Sequence, residues 1–498
     1  MSGSREIPDE IAGLEQVRSS KYCKSKPPRH APHDDKVLPS IEHAISQSGL
    51  KDGDTVSFHH HLREGDSVVN LVMQAIAHTG HKNIHLAPSS LSAVNDPLVP
   101  LMEAGVITRI STSGARAGCG EAISRGLLPY PAVFRSHGGR ARAIEEGSLE
   151  IDVAFIAAPR ADRMGNISGV DAPSACGSLG YAMPDAAFAR CVIAVTDNLE
   201  QQPLSSISIP GHLVDFVVEV DSIGEPDKIA VGATRISSSP VDLLIAREIA
   251  HLIRQSPVYR SGFSMQFGTG GASLAVARYL SLFMKQDEVR ASFILGGITS
   301  QAVEMLEQSL VHTLYDVQCF DLRAVNSLAK NAQHCEIGVS HYANPNTAGA
   351  LVNFLDIVVL SAMEVDVDFN VNVLTGSDGI IRGASGGHSD TASAANLVIV
   401  AGPALRARLP LIVDRVGTVI TPGEHVACVV TDQGIAWNPK FSMLAAPSAP
   451  HLMDIRDLKA KIEALSGVPE KPRFGRRIVG VVEARDGTIA DVIRQTAL

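Results

Sequence analysis

The chain has 498 residues, of which 45% are hydrophobic, 4% aromatic and 19% charged, and its formal net charge is −10. This negative balance argues against nucleic acid as a partner, because binding to a phosphate backbone requires concentrated lysine and arginine. The length allows two large α/β halves, so the size of the hydrophobic core is not limiting.

Seven cysteines are scattered along the chain without a C-x-x-C motif and without a histidine at zinc spacing. They are Cys23, Cys119, Cys176, Cys191, Cys319, Cys335 and Cys428. Such an odd, dispersed set is typical of reduced thiols in a cytosol. Residues 1–14 lack the apolar segment of a signal peptide, and every apolar run is shorter than the ~20 residues that span a bilayer. We therefore expect a soluble, cytoplasmic protein with no membrane partner.

The first 38 residues are polar and interrupted by proline, which predicts a disordered segment or an arm. Two domains are expected after it. The first comprises residues 39–225 and the second residues 226–498, and the turn-rich segment 221–227 separates them.

Strands and helices alternate in both halves. A strand at 55–58 precedes a helix at 67–77 and a strand at 84–87, and later a strand at 263–267 precedes a helix at 273–284. This alternation predicts the α/β class, with an open and mainly parallel sheet in each half. Because parallel sheets bind ligands at the carboxyl ends of their strands, we expect one cleft where the tips of the two sheets face each other.

The two halves are similar enough to indicate a duplication. An offset of 207 residues aligns Ser57 with Ser264 and Val69 with Val276. An offset of 204 residues aligns Asp152 with Asp356, Ala158 with Ala362, Asp162 with Asp366, Asn166 with Asn370, and Ser136-His137 with Ser340-His341. Chance identity at common residue types is the alternative. We interpret the repeated Asp162 and Asp366 as structural turn residues.

Three consecutive histidines, His59, His60 and His61, end the first strand and precede Arg63. Adjacent residues of an extended chain point to opposite faces, so at most two of the three reach one ligand. A metal site would need further ligands, and no second cluster of His, Asp or Glu lies at a recognisable spacing. We therefore predict no metal and favour contact with a substrate carboxylate, while the choice among the three histidines stays open.

Three further segments are candidates for binding a ligand. Ser136–Arg140 reads as a polar loop with an anion-binding arginine, or as a structural turn. Gln266–Gly271 is a glycine-rich turn before a helix, whose free N–H groups suit an anion, although tight strand–helix packing explains many such turns. Thr375–Asp390 contains five glycines after an apolar strand, which favours a loop shaped around a bound molecule over a flexible surface loop. No G-x-S-x-G elbow is present, which weighs against a serine hydrolase.

Together these motifs resemble a known family. The glycine-rich turn and the late glycine-rich loop are similar to the C-terminal half of family I CoA-transferases, which have the NagB/RpiA/CoA-transferase-like fold in two copies. A closer resemblance is to the citrate lyase α subunit family, and it covers nearly the whole chain after the arm. The segments that carry it are Val56–His60, Thr112–Gly114, Ser136–Arg140, Gly177–Tyr181, Gly262–Gln266, Leu295–Thr299 and Phe369–Gly379.

The resemblance implies a citrate:acetyl-acyl-carrier-protein transferase, which exchanges acetate for citrate on a carrier-bound thiol. The implied partners are the citrate lyase β subunit, the γ (acyl carrier) subunit, citrate and acetate, together with further copies of this chain as a homo-oligomer. No tightly bound cofactor is implied. The thiol belongs to the phosphoribosyl-dephospho-CoA group of the carrier, with free CoA thioesters as potential surrogates.

The chain departs from the wider family at one place. Family I transferases place a nucleophilic glutamate after the strand that follows the glycine-rich turn, but the segment 291–302 contains no carboxylate. We therefore hypothesise that the substrate carboxylate itself attacks the thioester and forms a mixed anhydride. Glu364 is the alternative nucleophile.

The mixed-anhydride hypothesis also assigns roles to residues along the chain. Backbone N–H groups of Gly296 and Gly297 would stabilise the oxyanion. The expected substrate-binding residues are His59, His60, Arg63, His137, Arg140 and Arg382. The expected binding residues for the prosthetic arm are Gly268, Thr269, Gly270, Gly271, Gly376, Ser377, Asp378 and Gly379. An ordinary acyl-CoA:carboxylate CoA-transferase or an acyl-CoA hydrolase is the alternative enzyme, and a docking scaffold for lyase partners is the non-enzyme alternative.

Overall fold

The computed structural model describes residues 34–230, 237–444, 452–467 and 472–496. The predicted N-terminal arm therefore lies outside the described residues as far as residue 33. Its last residues are not an arm, because Val37–Leu38 pairs in parallel with Val217 and Val218 of the first sheet. The Lys36 ammonium anchors this strand by donating hydrogen bonds to the carbonyl oxygens of Gly211 at 2.6 Å and Val214 at 2.7 Å.

The first half alternates strands and helices. Its strands are β1 Val37–Leu38, β2 Thr55–Phe58, β3 Ile84–Pro88, β4 Ile107–Thr112, β5 Ala132–Arg135, β6 Val153–Ala157, β7 Arg160–Asp162, β8 Ile167–Ser168, β9 Cys191–Thr196, β10 Leu199–Glu200 and β11 Phe216–Glu219. Its helices are α1 Ile41–Ser48, α2 Val68–His78, α3 Val99–Glu103, α4 Ala117–Ser124, α5 His137–Glu145 and α6 Met183–Phe188.

The second half repeats this alternation. Its strands are β12 Ser264–Phe267, β13 Ala291–Ile298, β14 Val311–Cys319, β15 His334–Glu336, β16 Ile357–Ser361, β17 Glu364–Asp366, β18 Val371–Asn372, β19 Leu397–Ala401, β20 Leu405–Arg406, β21 Leu409–Pro410, β22 Ile412–Val413, β23 Cys428–Thr431, β24 Gly434–Trp437 and β25 Leu452–Met453. Its helices are α7 Pro240–Gln255, α8 Gly271–Gln286, α9 Ser300–Glu307, α10 Leu322–Lys330, α11 Val339–Ala343, α12 His388–Ala392 and α13 Ile455–Ser466.

Two large sheets organise the described residues. The first has the order β1-β11-β9-β6-β2-β3-β4-β5 and then continues into a C-terminal hairpin, β26 Phe474–Glu483 and β27 Ile489–Thr496. The second has the order β15-β14-β13-β12-β16-β19-β23-β24-β25. Adjacent strands are parallel except in the pairs β26–β27 and β23–β24, so the predicted class of open, mainly parallel sheets is confirmed. Central strands such as Cys191–Thr196 are buried at every residue, as a sheet covered on both faces requires.

The C-terminal hairpin crosses between the two halves. The predicted boundary at residues 225 and 226 separates the strands of the two sheets elsewhere, but β26 pairs in parallel with β5 of the first sheet. Glu483 on β26 holds this pairing through ion pairs to Arg135 at 2.8 Å and to Arg142 at 2.6 Å. Residues 474–496 therefore belong to the first sheet, although the sequence prediction placed them in the second domain.

The internal repeat is visible in equivalent hydrogen bonds. The Asp152 carboxylate accepts from the N–H of Thr55 at 2.9 Å, and the Asp356 carboxylate accepts from the N–H of Ser264 at 3.0 Å. The predicted alignment of Asp152 with Asp356 is therefore confirmed. The predicted alignment of Ser57 with Ser264 is wrong by two residues, because the bond that repeats joins the aspartate to Thr55.

Among the described residues, none of the helices combines the length and the apolar character that crossing a bilayer requires.

Candidate functional site

A cavity of about 450 Å³ lies at the carboxyl ends of strands from both sheets. His60 follows β2, Gly268 follows β12, and Ser361 ends β16, and all three contribute to the wall. The tips of the two sheets thus share one pocket, as the topology of open parallel sheets leads us to expect.

The structure divides the predicted site residues into two sets. Those on the wall of the cavity are His60, Arg63, His137, Gly268, Thr269, Gly270, Gly297 and Arg382. Those away from the wall are His59, Arg140, Gly271, Gly296, Glu364, Gly376, Ser377, Asp378 and Gly379.

A stack of aromatic rings forms one side of the wall. The rings of His60, His137 and Tyr181 pack against one another, with centroid distances of 5.0 Å for His60–Tyr181, 4.3 Å for His137–Tyr181 and 5.6 Å for His60–His137. Burial, then the nearby charge of Arg140, lowers the pKa of His137 to about 3. Burial likewise lowers the pKa of His60 well below its ordinary value, with His137 and Arg63 adding to the effect. Both imidazoles are therefore neutral at pH 7 and act as hydrogen-bonding groups rather than as cations.

The positive charge of the cavity comes from arginines instead. Arg63 and Arg116 both line the wall, and among the described residues no carboxylate lies within 4.0 Å of either guanidinium. Burial, followed by the charge of Arg116, lowers the pKa of Arg63 to about 10, so Arg63 stays charged at neutral pH. Two like charges in one cavity, neither in an ion pair with a described carboxylate, favour a polyanionic ligand.

His59 and Arg140 are directed away from the cavity, contrary to the prediction that they bind substrate. The Arg140 guanidinium donates two hydrogen bonds of 2.7 Å to the carboxylate of Asp185, and Nε2 of His59 lies 3.2 Å from the same carboxylate. Although burial raises it, Arg140 and then His59 hold the pKa of Asp185 below its ordinary value. Arg140 and Asp185 thus form a buried ion pair with His59 beside it, because a buried guanidinium requires a charged partner.

The N-terminus of α5 is likewise closed to a ligand. Asp390 accepts hydrogen bonds from the Ser136 hydroxyl at 2.6 Å and from the N–H of Gly138 at 2.8 Å. The segment Ser136–Arg140 is therefore a helix cap that joins the two halves, and only His137 of it reaches the cavity.

The glycine-rich turn before α8 lies on the wall as far as Gly270. Gly270 has a φ of 129°, and a Cβ there would lie 2.0 Å from the Ser361 hydroxyl, so a larger residue does not fit. Gly271 starts α8 beside Asp242, whose carboxylate oxygen would lie 3.2 Å from an added Cβ. The turn therefore offers backbone to the cavity through Gly268, Thr269 and Gly270.

The predicted oxyanion segment bends within β13. The register against β14 shifts between Gly296 and Gly297, which is the signature of a β-bulge. Gly297 faces the cavity beside Phe320, whereas Gly296 lies behind the side chain of Gln266.

The late glycine-rich loop contributes only its second part. Residues 376–379 form a tight turn, in which the N–H of Gly379 donates to the carbonyl of Gly376 at 2.8 Å, and this turn packs against Phe474 of the hairpin. Arg382 pairs with Asp378, and its side chain is 45% exposed at the mouth of the cavity. Residues 383–388 complete the wall.

Glu364, the alternative nucleophile, lies outside the cavity wall. It is buried on β17, where the Asn372 side-chain amide donates to its carboxylate at 3.0 Å. The described residues of the wall include no aspartate, glutamate, lysine or cysteine. No group of three or more His, Cys, Asp or Glu side chains among the described residues is placed to hold a metal ion.

Several wall residues were not predicted from the sequence. They are Arg116, Tyr181, Gln266, Gln318, Tyr342 and Arg406. Four of them carried a signal in the sequence. Gln266 begins the glycine-rich turn Gln266–Gly271, and Tyr181 ends Gly177–Tyr181. Arg116 follows the segment Thr112–Gly114, and Tyr342 follows the repeated Ser340-His341. Gln318 and Arg406 could not be predicted as wall residues, because both lie in sequence segments without a recognisable motif.

Comparisons with known proteins agree on one family. Residues 34–496 match the family model described as citrate lyase, alpha subunit. The chain is 49% identical to the citrate lyase alpha chain of Escherichia coli (strain K12), over 93% of this chain and 91% of that protein. It is similar in structure to the α subunit of citrate lyase from Streptococcus mutans in complex with citrate, with a TM-score of 0.91, 48% identity and 99% of each chain covered. A Pseudomonas malonate decarboxylase hetero-tetramer in complex with malonate matches with a TM-score of 0.64 and 17% identity, over 87% of this chain and 84% of that chain, and shares the fold alone.

Proposed function

The chain belongs to the family of citrate lyase α subunits, and from this premise we propose how its cavity carries out the transferase reaction. As a citrate lyase α subunit it is the transferase component of a complex with other subunits. The proposed reaction converts acetyl thioester and citrate into citryl thioester and acetate. The proposed partners are the γ subunit, whose phosphoribosyl-dephospho-CoA arm presents the thioester, and the β subunit, which receives the citryl product.

One observation carries the proposed mechanism. The cavity wall is supplied with arginines and neutral histidines, and its described residues include no carboxylate that could form an acyl-enzyme. A tricarboxylate bound there supplies the missing carboxylate itself. Arg63 and Arg116 hold the other carboxylates by charge-assisted hydrogen bonds, with His60 and His137 as neutral partners.

The reaction then proceeds in two balanced steps. In the first, a carboxylate oxygen of citrate attacks the carbonyl carbon of the acetyl thioester, the carbon–sulfur bond breaks, and the thiolate leaves. In the second, the citryl carbonyl of the mixed anhydride accepts the thiolate, and acetate leaves with the bridging oxygen. Neither step consumes or releases a proton, so neutral histidines suffice beside the reacting atoms.

The protein contributes orientation and charge stabilisation. Holding the two reactants in line supplies about 7–11 kcal/mol in well-oriented systems, and a preorganised oxyanion donor supplies about 3–4 kcal/mol. Gly297 stays the proposed backbone donor, because it lies on the wall beside the strand tip. Gly296 lies off the wall and packs against the side chain of Gln266.

The cavity wall contains residues that could bind the prosthetic arm of the carrier. The turn Gly268–Gly270 lies on the cavity wall and presents backbone rather than bulky side chains to the arm. Arg382 and Arg406 lie on the same wall and are suited to phosphate groups. We assign the arm to these residues rather than to residues 376–379, which face the hairpin.

Oxygen-labelled citrate tests the mechanism. In a single turnover with the acetyl thioester of the carrier arm or of CoA, ¹⁸O-labelled citrate should transfer one ¹⁸O atom to the released acetate. A glutamyl-enzyme would give unlabelled acetate in the first turnover, because that oxygen would come from the protein. A glutamyl thioester trapped with borohydride at Glu364 would also refute the proposal.

A further inference from the structure

The carboxamide of Gln266 is held at the cavity wall with one atom unpartnered. Gln266 lies at the carboxyl end of β12 and is 6% exposed. Its Nε2 donates a hydrogen bond of 2.9 Å to the hydroxyl of Tyr342, which also lines the cavity. Its Oε1 is buried and has no hydrogen-bond partner among the described residues. A buried acceptor without a donor is costly unless a ligand supplies the donor.

The bulge of β13 fixes the position of this carboxamide. A Cβ at Gly296 would lie 2.8 Å from both Cδ and Nε2 of Gln266 and 3.1 Å from Oε1, and Gly296 has a φ of 102°. The amide therefore rests directly against the backbone of Gly296. With Tyr342 at one end and Gly296 behind, the carboxamide has little freedom to turn away from the cavity.

The unpartnered Oε1 of Gln266 is a hydrogen-bond acceptor, whereas the charged groups around it are donors. Arg63, Arg116 and Arg382 on the wall are hydrogen-bond donors only. They match the carboxylates of citrate, which at neutral pH are acceptors only. The one O–H donor of ionised citrate is its tertiary hydroxyl, which needs an acceptor on the protein.

We propose that Gln266 is a specificity-determining residue whose Oε1 accepts a hydrogen bond from the hydroxyl of the acceptor acid. This inference rests on the proposed function and adds the chemical class of the acid, which is a hydroxyl-bearing polycarboxylate. The arginines bind the carboxylates of the acid, and Oε1 of Gln266 accepts the hydrogen bond from its hydroxyl. An acid of the same shape without the hydroxyl leaves the buried Oε1 unpaired, and such sites discriminate strongly against the deficient analogue.

Citrate and tricarballylate provide the matched pair of substrates, because they share three carboxylates and differ in the hydroxyl. With acetyl thioester as donor, the wild-type protein should favour citrate by roughly 100-fold or more in kcat/KM. The near-isosteric variant Gln266→Met should bring this ratio to within a few-fold of one, chiefly by slowing the reaction of citrate. A ratio that stays at its wild-type value in Gln266→Met overturns the proposal.

Gln318→Met is the matched control, since Gln318 is also on the wall but donates its amide to the backbone carbonyl of His60 at 2.7 Å. A general disturbance of the cavity lowers the rates of both acids in parallel, so Gln318→Met should retain the citrate preference. Loss of the preference in Gln318→Met, to the same extent as in Gln266→Met, would contradict the assignment to Gln266.

A measurement without variants covers the case in which Gln266→Met does not fold. Calorimetric titration of the wild-type protein should show citrate binding at least tenfold more tightly than tricarballylate, and equal affinities refute the role of the hydroxyl. The two proposals fail separately. If the wild-type protein and its carrier form no citryl thioester, the proposed function fails, whereas transfer without hydroxyl preference rejects this inference alone.

Discussion

The turns after β7 and β17 are equivalent, whereas the turns after β2 and β12 have diverged completely. Asp162 accepts hydrogen bonds from the N–H groups of Met164, Asn166 and Leu204 and from the side-chain amide of Asn166. Asp366 accepts the corresponding four from Asp368, Asn370 and Val416. Both aspartates are structural turn residues, as the sequence predicted.

The tips of β2 and β12 have no such correspondence. Three histidines and an arginine follow β2, and a glycine-rich turn that leads into α8 follows β12. The segment after β2 contributes polar side chains to the cavity, whereas the turn after β12 contributes backbone groups. The duplicated chain therefore kept the turns that support the sheets and diverged where the two halves enclose the cavity.

The largest effect is expected at the diverged tip of β2. Replacing Arg63 with methionine removes a charge that forms no ion pair with a described carboxylate, so the change should weaken substrate binding rather than the stability of the fold. We expect kcat/KM for citrate to fall by roughly 10³-fold, about 4 kcal/mol, with no loss in the free energy of unfolding. Arg125→Met, at an arginine with 56% exposure, is the control and should keep both values. A strongly destabilised Arg63→Met protein would contradict this assignment.

An intermediate effect is expected at the turns of Asp162 and Asp366. It tests whether the two turns contribute equally to the free energy of unfolding as well as sharing the same geometry. Asp162→Asn and Asp366→Asn preserve shape but turn an amide N–H₂ toward backbone donors. Each variant should lose about 3 kcal/mol in the free energy of unfolding, because several donors are left unpaired. Denaturant unfolding of both variants beside Asp221→Asn, an exposed aspartate in the linker, checks this. A large difference between the two turns would break the comparison.

The smallest effect is expected at Asp390, which joins the two halves through Ser136 and Gly138. Burial raises the pKa of Asp390 to about 6 from an ordinary value of 3.8. The folded protein therefore retains a proton that the unfolded chain releases, so this group's contribution to stability decreases as the pH rises from about 4 to 6. The difference in unfolding free energy between wild type and Asp390→Asn should change by about 2 kcal/mol across that window and be level above pH 7. Parallel curves for the two proteins would show that Asp390 does not titrate in this range.

The sequence was informative where a local pattern has one physical solution. Alternating strands and helices led to two open parallel sheets, and the repeated Asp162 and Asp366 led to structural turns. The sequence was misleading where a strand pairs with another strand that is distant along the chain. The hairpin 474–496 pairs with β5, more than three hundred residues earlier, and nothing in the local sequence of the hairpin predicts this pairing.

The sequence alone established the family, the class of fold and the absence of a carboxylate from segment 291–302, since these are properties of residues in order. Only the tertiary structure decided which polar residues face the cavity. His59, His60 and Arg140 have equal claims in the sequence, yet Asp185 draws His59 and Arg140 into a buried cluster and leaves His60 on the wall. The reason is that a buried charge must find a partner, and that partner is chosen by packing across the fold rather than by distance along the chain.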